Sequence, residues 1–224
     1  MIEALIFDFD GVIIDTETPA YETWQEVFNA NNAKLDRSIW QRIIGGGAEK
    51  FDAYQHLEET LGARLSSDAI KMARRARYEA IVRSSPLLPG VVDYIQDAHT
   101  LGLKIGVASS SNRDWVEGHL AERDLLGLFH CVITSDDVEN IKPNPDIYLA
   151  AMSRLNISPD RAVAIEDSFN GIVAAKMAGM NCVAIPNQMT LDMPLGKADL
   201  QLNALSDIGL KDLLDALTRL SPCD

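Results

Sequence analysis

Eight polar side chains of this sequence stand at or shortly after the ends of short apolar segments. They are Asp8, Asp10, Ser109, Ser110, Ser111, Lys142, Glu166 and Asp167. Carboxylate oxygens are ligands that Mg²⁺ prefers in proteins, while ammonium and hydroxyl groups bind the oxygens of a phosphate. The sequence therefore predicts a site at which Mg²⁺ and one lysine attract a phosphorylated substrate.

The same residue types could carry out phosphoryl transfer. Asp8 is the candidate nucleophile, which would form an aspartyl phosphate. Asp10 lies two residues later, so in an extended chain it points to the same side, where it could protonate the leaving oxygen and then deprotonate a water. Lys142 and the cation would cancel the repulsion between a carboxylate and a phosphate dianion. The Ser109 hydroxyl and nearby backbone N–H groups would bind the transferred phosphoryl group.

Taken singly, each of these groups also has an ordinary structural explanation. An Asp-x-Asp pair after a strand is often a turn or a helix cap, and two acids at a helix start can simply complement its dipole. Ser109 could be a helix cap and Lys142 a solvated loop charge. The groups arrive in order at the ends of successive strands, however, and independent caps have no reason to do so. We therefore favour the functional interpretation.

The elements that would position these residues can also be predicted. Short apolar strands are predicted at residues 4–7, 104–108, 131–134, 162–165, 182–185 and about 200–202, with helices at 91–101, 113–122, 146–155, 169–178 and 208–220. Strands that alternate with helices are typical of a parallel sheet covered on both faces, and ligands bind at the carboxyl ends of its strands. Gly102 and Gly179 are expected to end helices, and Asn144 is expected to cap a helix that begins at Pro145.

A long helical segment separates the first predicted strand from the others. Residues 17–85 carry apolar residues at helical spacing, interrupted at Gly45–Gly47. We predict an α/β fold with a Rossmann-like parallel-sheet core, residues 1–15 and 87–224, and an inserted all-helical cap domain, residues 16–86. The cap aromatics are interpreted as core residues rather than a substrate platform. They are Trp24, Trp40, Phe51 and Tyr54.

The composition excludes several classes of partner. Twenty Lys plus Arg against 33 Asp plus Glu give a formal net charge of −13, which argues against binding nucleic acid or acidic lipid. Three cysteines are too few for a disulfide framework. No apolar run approaches the roughly 18 residues of a membrane-spanning helix, and the N-terminus carries acids where a signal peptide is uncharged. We expect a cytoplasmic protein, a monomer or weak dimer, without nucleic-acid or membrane partners.

The motifs together resemble those of the haloacid dehalogenase superfamily. They read Asp8-Phe-Asp-Gly-Val-Ile-Ile-Asp-Thr-Glu, Val-Ala-Ser109-Ser, Lys142-Pro-Asn-Pro-Asp and Glu166-Asp167-Ser-x-x-Gly171. Within the superfamily the chain is similar to the phosphatase and beta-phosphoglucomutase branch, whose helical cap follows the first motif. This resemblance implies a Rossmann-like core, an Mg²⁺ cofactor and transfer through an aspartyl phosphate.

The resemblance also implies a role for each matching residue. Asp8 would be the nucleophile and Asp10 the acid and base. The implied metal ligands are Asp8, Asp10 through its backbone carbonyl, Asp167 and, in a helping role, Glu166. The implied phosphate ligands are Ser109, Lys142 and the backbone of Ser110. From the cap, Glu17 and Gly46 are expected to contact the substrate.

Within the superfamily, a phosphatase acting on a small phosphorylated metabolite fits the residues best. Asp10 argues against a dehalogenase, because halide leaves without a proton. A sugar-phosphate mutase is the closest alternative, but its cap histidine and arginine are missing in an ungapped comparison, although Arg42 could substitute for the arginine. A non-catalytic phosphate-sensing module would be favoured by a missing motif residue, and none is missing.

Overall fold

In the part of the chain that the structure describes, the protein is built around one parallel sheet of six short strands. The computed structural model describes residues 1–45, 51–65 and 67–220. The strands are β1 (Ala4–Phe7), β2 (Lys104–Ala108), β3 (Cys131–Ile133), β4 (Ala162–Glu166), β5 (Asn181–Ala184) and β6 (Leu200–Gln201). Their order is β3-β2-β1-β4-β5-β6, and all paired strands run parallel. β1 therefore lies inside the sheet, between β2 and β4.

Helices cover both faces of the sheet. They are α5 (Val91–Thr100), α6 (Arg113–Ala121), α7 (Asp146–Leu155), α8 (Phe169–Met177) and α9 (Leu210–Leu220). Alternate residues of β1 enter different hydrophobic clusters: Leu5 and Phe7 pack with α5, α6 and α9, and Ala4 and Ile6 pack with α7 and α8. All four β1 residues are fully buried, as expected for a strand covered on both faces. The predicted α/β, Rossmann-like class is confirmed.

Most element boundaries agree with the prediction to within one or two residues, but one predicted cap is wrong. Pro145, not Asn144, is the residue that precedes α7, and no side chain caps this helix. The Asn144 side chain instead donates through Nδ2 to the Ile141 carbonyl at 3.2 Å, because Asn144 closes the turn before the helix. Gly102 and Gly179 do lie just past helix ends, at φ of 71° and 82°, where a left-handed residue is needed.

Among the described residues from 17 to 84, four helices lie between β1 and α5 and form what we call the helical insert. They are α1 (Glu17–Ala30), α2 (Arg37–Gln41), α3 (Ala53–Leu61) and α4 (Ser67–Ser84). The insert has its own hydrophobic cluster, which includes Trp40, and Trp24 and Phe51 pack against it. Met189, from the segment after β5, completes the cluster. The insert aromatics are thus packing residues, as predicted.

The two connections to the insert run side by side. Ile14 and Leu87 form an antiparallel bridge, and the Leu88 N–H donates to the Ile13 carbonyl at 3.0 Å. The division into a core and a cap domain close to this point remains our proposal. Within the described parts of the chain, no helix is both long and apolar enough to cross a membrane.

Candidate active site

The sheet register brings the ends of three strands together. Phe7 of β1 lies beside Val107 of β2 and Ile165 of β4. The Asp8 N–H donates to the Ile165 carbonyl at 2.9 Å, so Asp8 and Glu166 follow their strands side by side. The predicted convergence of the motifs on one edge of the sheet is therefore seen in the backbone itself.

Four buried side chains form what we call the sheet-edge cluster, composed of Asp8, Lys142, Glu166 and Asp167. The Lys142 Nζ atom lies 2.7 Å from Asp8 Oδ1 and 2.7 Å from Glu166 Oε1. None of the four side chains is more than 4% exposed. Glu166 Oε1 also accepts a hydrogen bond from the Tyr148 hydroxyl. Within the cluster, one ammonium faces three carboxyl groups.

This imbalance of charge alters the proton affinities of the cluster. Burial of the Asp8 carboxyl raises its pKa to about 8, against the opposing effect of Lys142, and Glu166 and Asp10 add to the increase. Burial, Asp8 and Glu166 raise the pKa of Asp167 well above its ordinary value. Burial disfavours the charged form of Lys142, but Asp8 and Glu166 outweigh it and raise the pKa of the ammonium. A further positive charge would therefore stabilise the ionised carboxylates of the cluster.

The cluster also offers carboxylate oxygens as ligand atoms for a cation. One carboxylate oxygen from each of Asp8, Glu166 and Asp167 lies within 4.8 Å of the other two. Asp167 Oδ2 accepts from Asn187 Nδ2 at 2.6 Å, whereas its buried Oδ1 has no hydrogen-bond partner among the residues that the structure describes. Buried carboxylate oxygens without donors are costly unless a cation is present. The donor set therefore fits a hard divalent ion such as Mg²⁺.

Two glycines leave room for the carboxylates. A Cβ atom on Gly11 would lie 2.2 Å from Asp167 Oδ2, and Gly11 has a φ of 80°, which side-chain-bearing residues rarely adopt. A Cβ atom on Gly171 would lie 2.0 Å from both carboxylate oxygens of Glu166. Ser168 caps α8 by accepting from the Gly171 N–H at 3.1 Å, which fixes the helix start under Glu166.

Asp10 lies outside this cluster, at what we call the insert-facing rim, composed of Asp10, Ser109, Ser111 and Trp115. Asp10 Oδ2 accepts from the hydroxyls of Ser111 at 2.6 Å and Ser109 at 3.1 Å. Asp10 Oδ1 accepts from the indole N–H of Trp115 at 3.0 Å. Both carboxylate oxygens of the predicted acid and base are thus held by donors from the segment after β2.

The helical insert contacts the core around the site. Ser110 Oγ donates to the Gly45 carbonyl at 3.4 Å, and Asn170 Nδ2 donates to the Ile44 carbonyl at 2.7 Å. Gln41 Nε2 donates to the Met189 carbonyl at 2.7 Å. The Ser110 side chain therefore faces the insert, which leaves its backbone for the predicted phosphate contact.

Of the two residues predicted to contact the substrate from the cap, only Glu17 lies among the described residues. Glu17 is half-buried at the start of α1, and burial raises its pKa to about 8, with contributions from Asp10 and Asp8. Glu17 is therefore close to the site electrostatically, and its substrate contact remains a prediction. Gly46 lies outside the described residues. Arg42 is exposed, and its Nε donates along α2 to the Ser38 carbonyl at 3.4 Å.

A cavity of about 390 Å³ opens between α4 and the segment after β2. Its lining includes Tyr78 and Arg75 of the insert together with Ser110, Ser111 and Trp115 of the core. This volume lies in the range of small-molecule pockets. The cavity reaches the insert-facing rim at Ser111 and Trp115, which both donate to Asp10.

Several residues of the site were not predicted from the sequence. The sequence places Ser111 among the polar residues after β2 but predicts no role for it, and it predicts no role for Trp115, Asn187 or Tyr148. Asn187 follows the carboxyl end of β5, so the rule that polar residues at strand ends form sites could have identified it. Trp115 and Tyr148 lie on the first turns of α6 and α7, where no strand-end rule applies.

Comparison with known proteins agrees with this geometry. A family model described as haloacid dehalogenase-like hydrolase matches residues 5–185. The Bacillus subtilis protein YhcW is 45% identical over 97% of this chain and 98% of its own, and the phosphorylated carbohydrates phosphatase of Thermotoga maritima is 31% identical over 96% and 98%. The crystal structure of CbbY from Rhodobacter sphaeroides in complex with phosphate is 30% identical, with a TM-score of 0.72 over 95% of this chain and 99% of CbbY. The fold, the strand-end carboxylates and the sequence similarity together identify this chain as a member of the haloacid dehalogenase-like hydrolase family.

Proposed function

We propose that the protein is an Mg²⁺-dependent phosphatase that hydrolyses a small phosphorylated metabolite through an aspartyl phosphate. The observation that carries the proposal is the sheet-edge cluster. In it, buried Lys142 bridges Asp8 and Glu166, beside an Asp167 Oδ1 atom that has no hydrogen-bond partner in the described part of the chain. A phosphate dianion can approach Asp8 only where positive charge offsets their repulsion. Lys142 supplies part of this charge.

The Mg²⁺ ligands would be the carboxylates of Asp8, Asp167 and Glu166 and the backbone carbonyl of Asp10. Bound there, the ion would supply the remaining positive charge that lets a carboxylate meet a phosphate. Ser109, Lys142 and the Ser110 backbone would bind the oxygens of the phosphoryl group. These assignments are supported by the burial and spacing of the carboxylate oxygens.

Two chemical steps then follow. A carboxylate oxygen of Asp8 forms a bond to phosphorus while the bond from phosphorus to the leaving oxygen breaks, and Asp10 gives its proton to that oxygen, so an alcohol departs. In the second step Asp10 takes a proton from a water whose oxygen bonds to phosphorus. The bond from Asp8 to phosphorus breaks, which releases inorganic phosphate and restores both carboxyl groups.

The proposed substrate class is a sugar or polyol phosphate. Two similar proteins carry such substrates in their names, the phosphorylated carbohydrates phosphatase of Thermotoga maritima and hexitol phosphatase B of Escherichia coli, 31% and 30% identical to this chain. The 390 Å³ cavity beside Ser111 offers hydroxyls and a guanidinium to a polar substrate of this size.

The test is phosphate release from a panel of phosphorylated metabolites, with MgCl₂ or EDTA, by the wild type and Asp8→Asn. We expect Mg²⁺-dependent release by the wild type and a fall in kcat of at least about 10³-fold in the variant, because the nucleophile is lost. Intact mass after acid quenching should show one phosphoryl group on the wild type only. A melting curve checks that the variant is folded.

Other outcomes would overturn the proposal. An Asp8→Asn variant that retains activity would exclude the aspartyl phosphate. Conversion of beta-glucose 1-phosphate to glucose 6-phosphate without net phosphate release would identify a mutase. Phosphate binding without turnover of any substrate would identify a phosphate-sensing module.

A further inference from the structure

Trp115 is held in a defined position at the start of α6. Its backbone N–H donates to the Asn112 side chain at 2.9 Å, which caps the helix. Its ring packs edge-on against His119, with centroids 4.3 Å apart and an interplanar angle of 81°. His119 is itself buried and stacks with Phe9, from the segment that carries the two aspartates. The indole is therefore fixed by the core on two sides.

The indole N–H of Trp115 donates a hydrogen bond to a carboxylate. It donates to Asp10 Oδ1 at 3.0 Å, while the hydroxyls of Ser111 and Ser109 hold Oδ2. A hydrogen bond to a carboxylate is stronger and more directional than one between neutral groups. Since Oδ1 accepts from a rigid aromatic donor and Oδ2 from two rotatable hydroxyls, Trp115 is the donor that sets the plane of the carboxylate.

The insert reaches the same indole. Tyr78 of α4 stacks on Trp115 with ring centroids 5.4 Å apart and planes 11° from parallel. The guanidinium of Arg74 lies 4.9 Å from the centroid of the Tyr78 ring. Burial raises the pKa of Tyr78, and Asp10 and Glu17 contribute, so this ring lies within the negative field of the site. The indole thus joins Asp10 on the core to α4 of the insert.

We propose that Trp115 is a positioning residue, which orients Asp10 for proton delivery to the leaving oxygen, and that Tyr78 supports it from the insert. The inference rests on the proposed function, since it assumes that Asp10 protonates the leaving group. A residue that only packed the insert against the core would have no need to direct its one polar atom at the carboxylate. Positioning of a proton donor matters most when the leaving group cannot depart without a proton.

The test compares two substrates that differ in this need. A sugar alkoxide must be protonated as it leaves, whereas p-nitrophenolate is stable as an anion. Trp115→Phe keeps the aromatic ring and its stacking but removes the N–H. We expect kcat/KM to fall about tenfold with the best sugar phosphate of the panel and less than about threefold with p-nitrophenyl phosphate. Tyr78→Ala, which keeps the indole N–H but removes its stacking partner, should show the same substrate bias with a smaller loss.

Matched controls separate this inference from general damage. Trp24→Phe changes another half-buried tryptophan, which packs within the insert, and should leave both values of kcat/KM unchanged. An equal loss of Trp115→Phe on both substrates, or no loss, would overturn the positioning role. If the melting curve shows that Trp115→Phe is not folded, Tyr78→Ala takes its place, and its losses of kcat/KM on the two substrates are compared in the same way. Failure of the proposed function is distinct, because it would appear as an inactive wild type or an active Asp8→Asn.

Discussion

The sheet-edge cluster and the insert-facing rim differ in how their charges are held. Asp8 and Asp10 are two residues apart, yet Asp8 is 3% exposed and paired with an ammonium, whereas Asp10 is half-buried and bound by neutral donors. The cluster lies at the carboxyl ends of β1 and β4, two fully buried strands, with Lys142 supplied by the loop after β3. The rim lies where the core meets the insert.

This difference indicates a division of labour. Buried ionic groups are costly to rearrange, so the cluster suits a nucleophile and a metal site that keep one geometry. The donors of the rim are neutral, so a change in the charge of Asp10 breaks no ion pair, and the rim suits a group that changes its protonation state. If this comparison is correct, changes in the cluster should affect folding and catalysis together, and changes in the rim should act mainly on activity or on its pH dependence.

The largest effect is expected from Lys142→Met. The change leaves Asp8 and Glu166 buried without their counter-charge, which should cost about 3 kcal/mol of stability in the absence of metal. Loss of the phosphate clamp should also lower kcat/KM by about 10³-fold. Urea unfolding and steady-state kinetics measure the two effects. Lys211→Met, at an exposed position on α9, is the control, and equal behaviour of the two variants would contradict the role of the cluster.

A smaller effect on the same cluster is expected from Gly171→Ala. The added Cβ would lie 2.0 Å from the Glu166 oxygens, so the carboxylate must move and activity should fall about 10- to 100-fold. Gly118→Ala is a matched control on α6, where the added Cβ meets nothing within 4 Å. This control should gain up to about 1 kcal/mol of stability, because alanine favours helix. A fully active Gly171→Ala would show that the Glu166 position is not critical.

The smallest effect is expected where the insert begins, from Glu17→Gln. The folded-state pKa of about 8 exceeds the ordinary value of 4.5, so the folded protein binds this proton more tightly than the unfolded chain does. Below both values Glu17 is protonated in both states, and the wild type loses stability as pH rises from about 4.5 to about 8. Glu17→Gln should remove this loss, so its stability gain over the wild type should be about 1 kcal/mol at pH 5 and should increase as the pH rises toward 8.

Denaturation in EDTA at several pH values measures this difference. Glu22→Gln, at an exposed position on the same helix, should keep the pH dependence of the wild type. A difference between Glu17→Gln and the wild type that does not vary with pH would contradict the assignment.

The sheet could be predicted from the sequence because its strands are short, mostly buried and bounded by polar residues or glycine. β1 and β2 have the predicted limits, and the register places Asp8, Ser109 and Glu166 together as the strand-end rule requires. The strand-end rule also predicted the members of the sheet-edge cluster, because they lie at or directly after the ends of β1 and β4 or in the loop after β3.

The rim could not be predicted in the same way. Spacing along a loop does not determine which of Ser109, Ser110 and Ser111 turns toward Asp10, and in the structure Ser110 turns away, to Gly45. Trp115 reaches Asp10 because α6 begins at Asn112 and points its first turn over the site. Its stacking with Tyr78 depends on how the insert docks, which is a tertiary property with no local signal.

The paired connections at Ile14 and Leu87 have a thermodynamic consequence for the architecture. The two ends of the insert lie next to each other in the folded protein. Because the entropy cost of closing a loop grows only slowly with its length, the length of the insert adds little to the cost of folding the sheet. We therefore expect the sheet to tolerate replacement of the whole insert at this junction. Substrate preference could then be exchanged as a module, by transplanting helices from a relative, while the chemistry beneath stays intact.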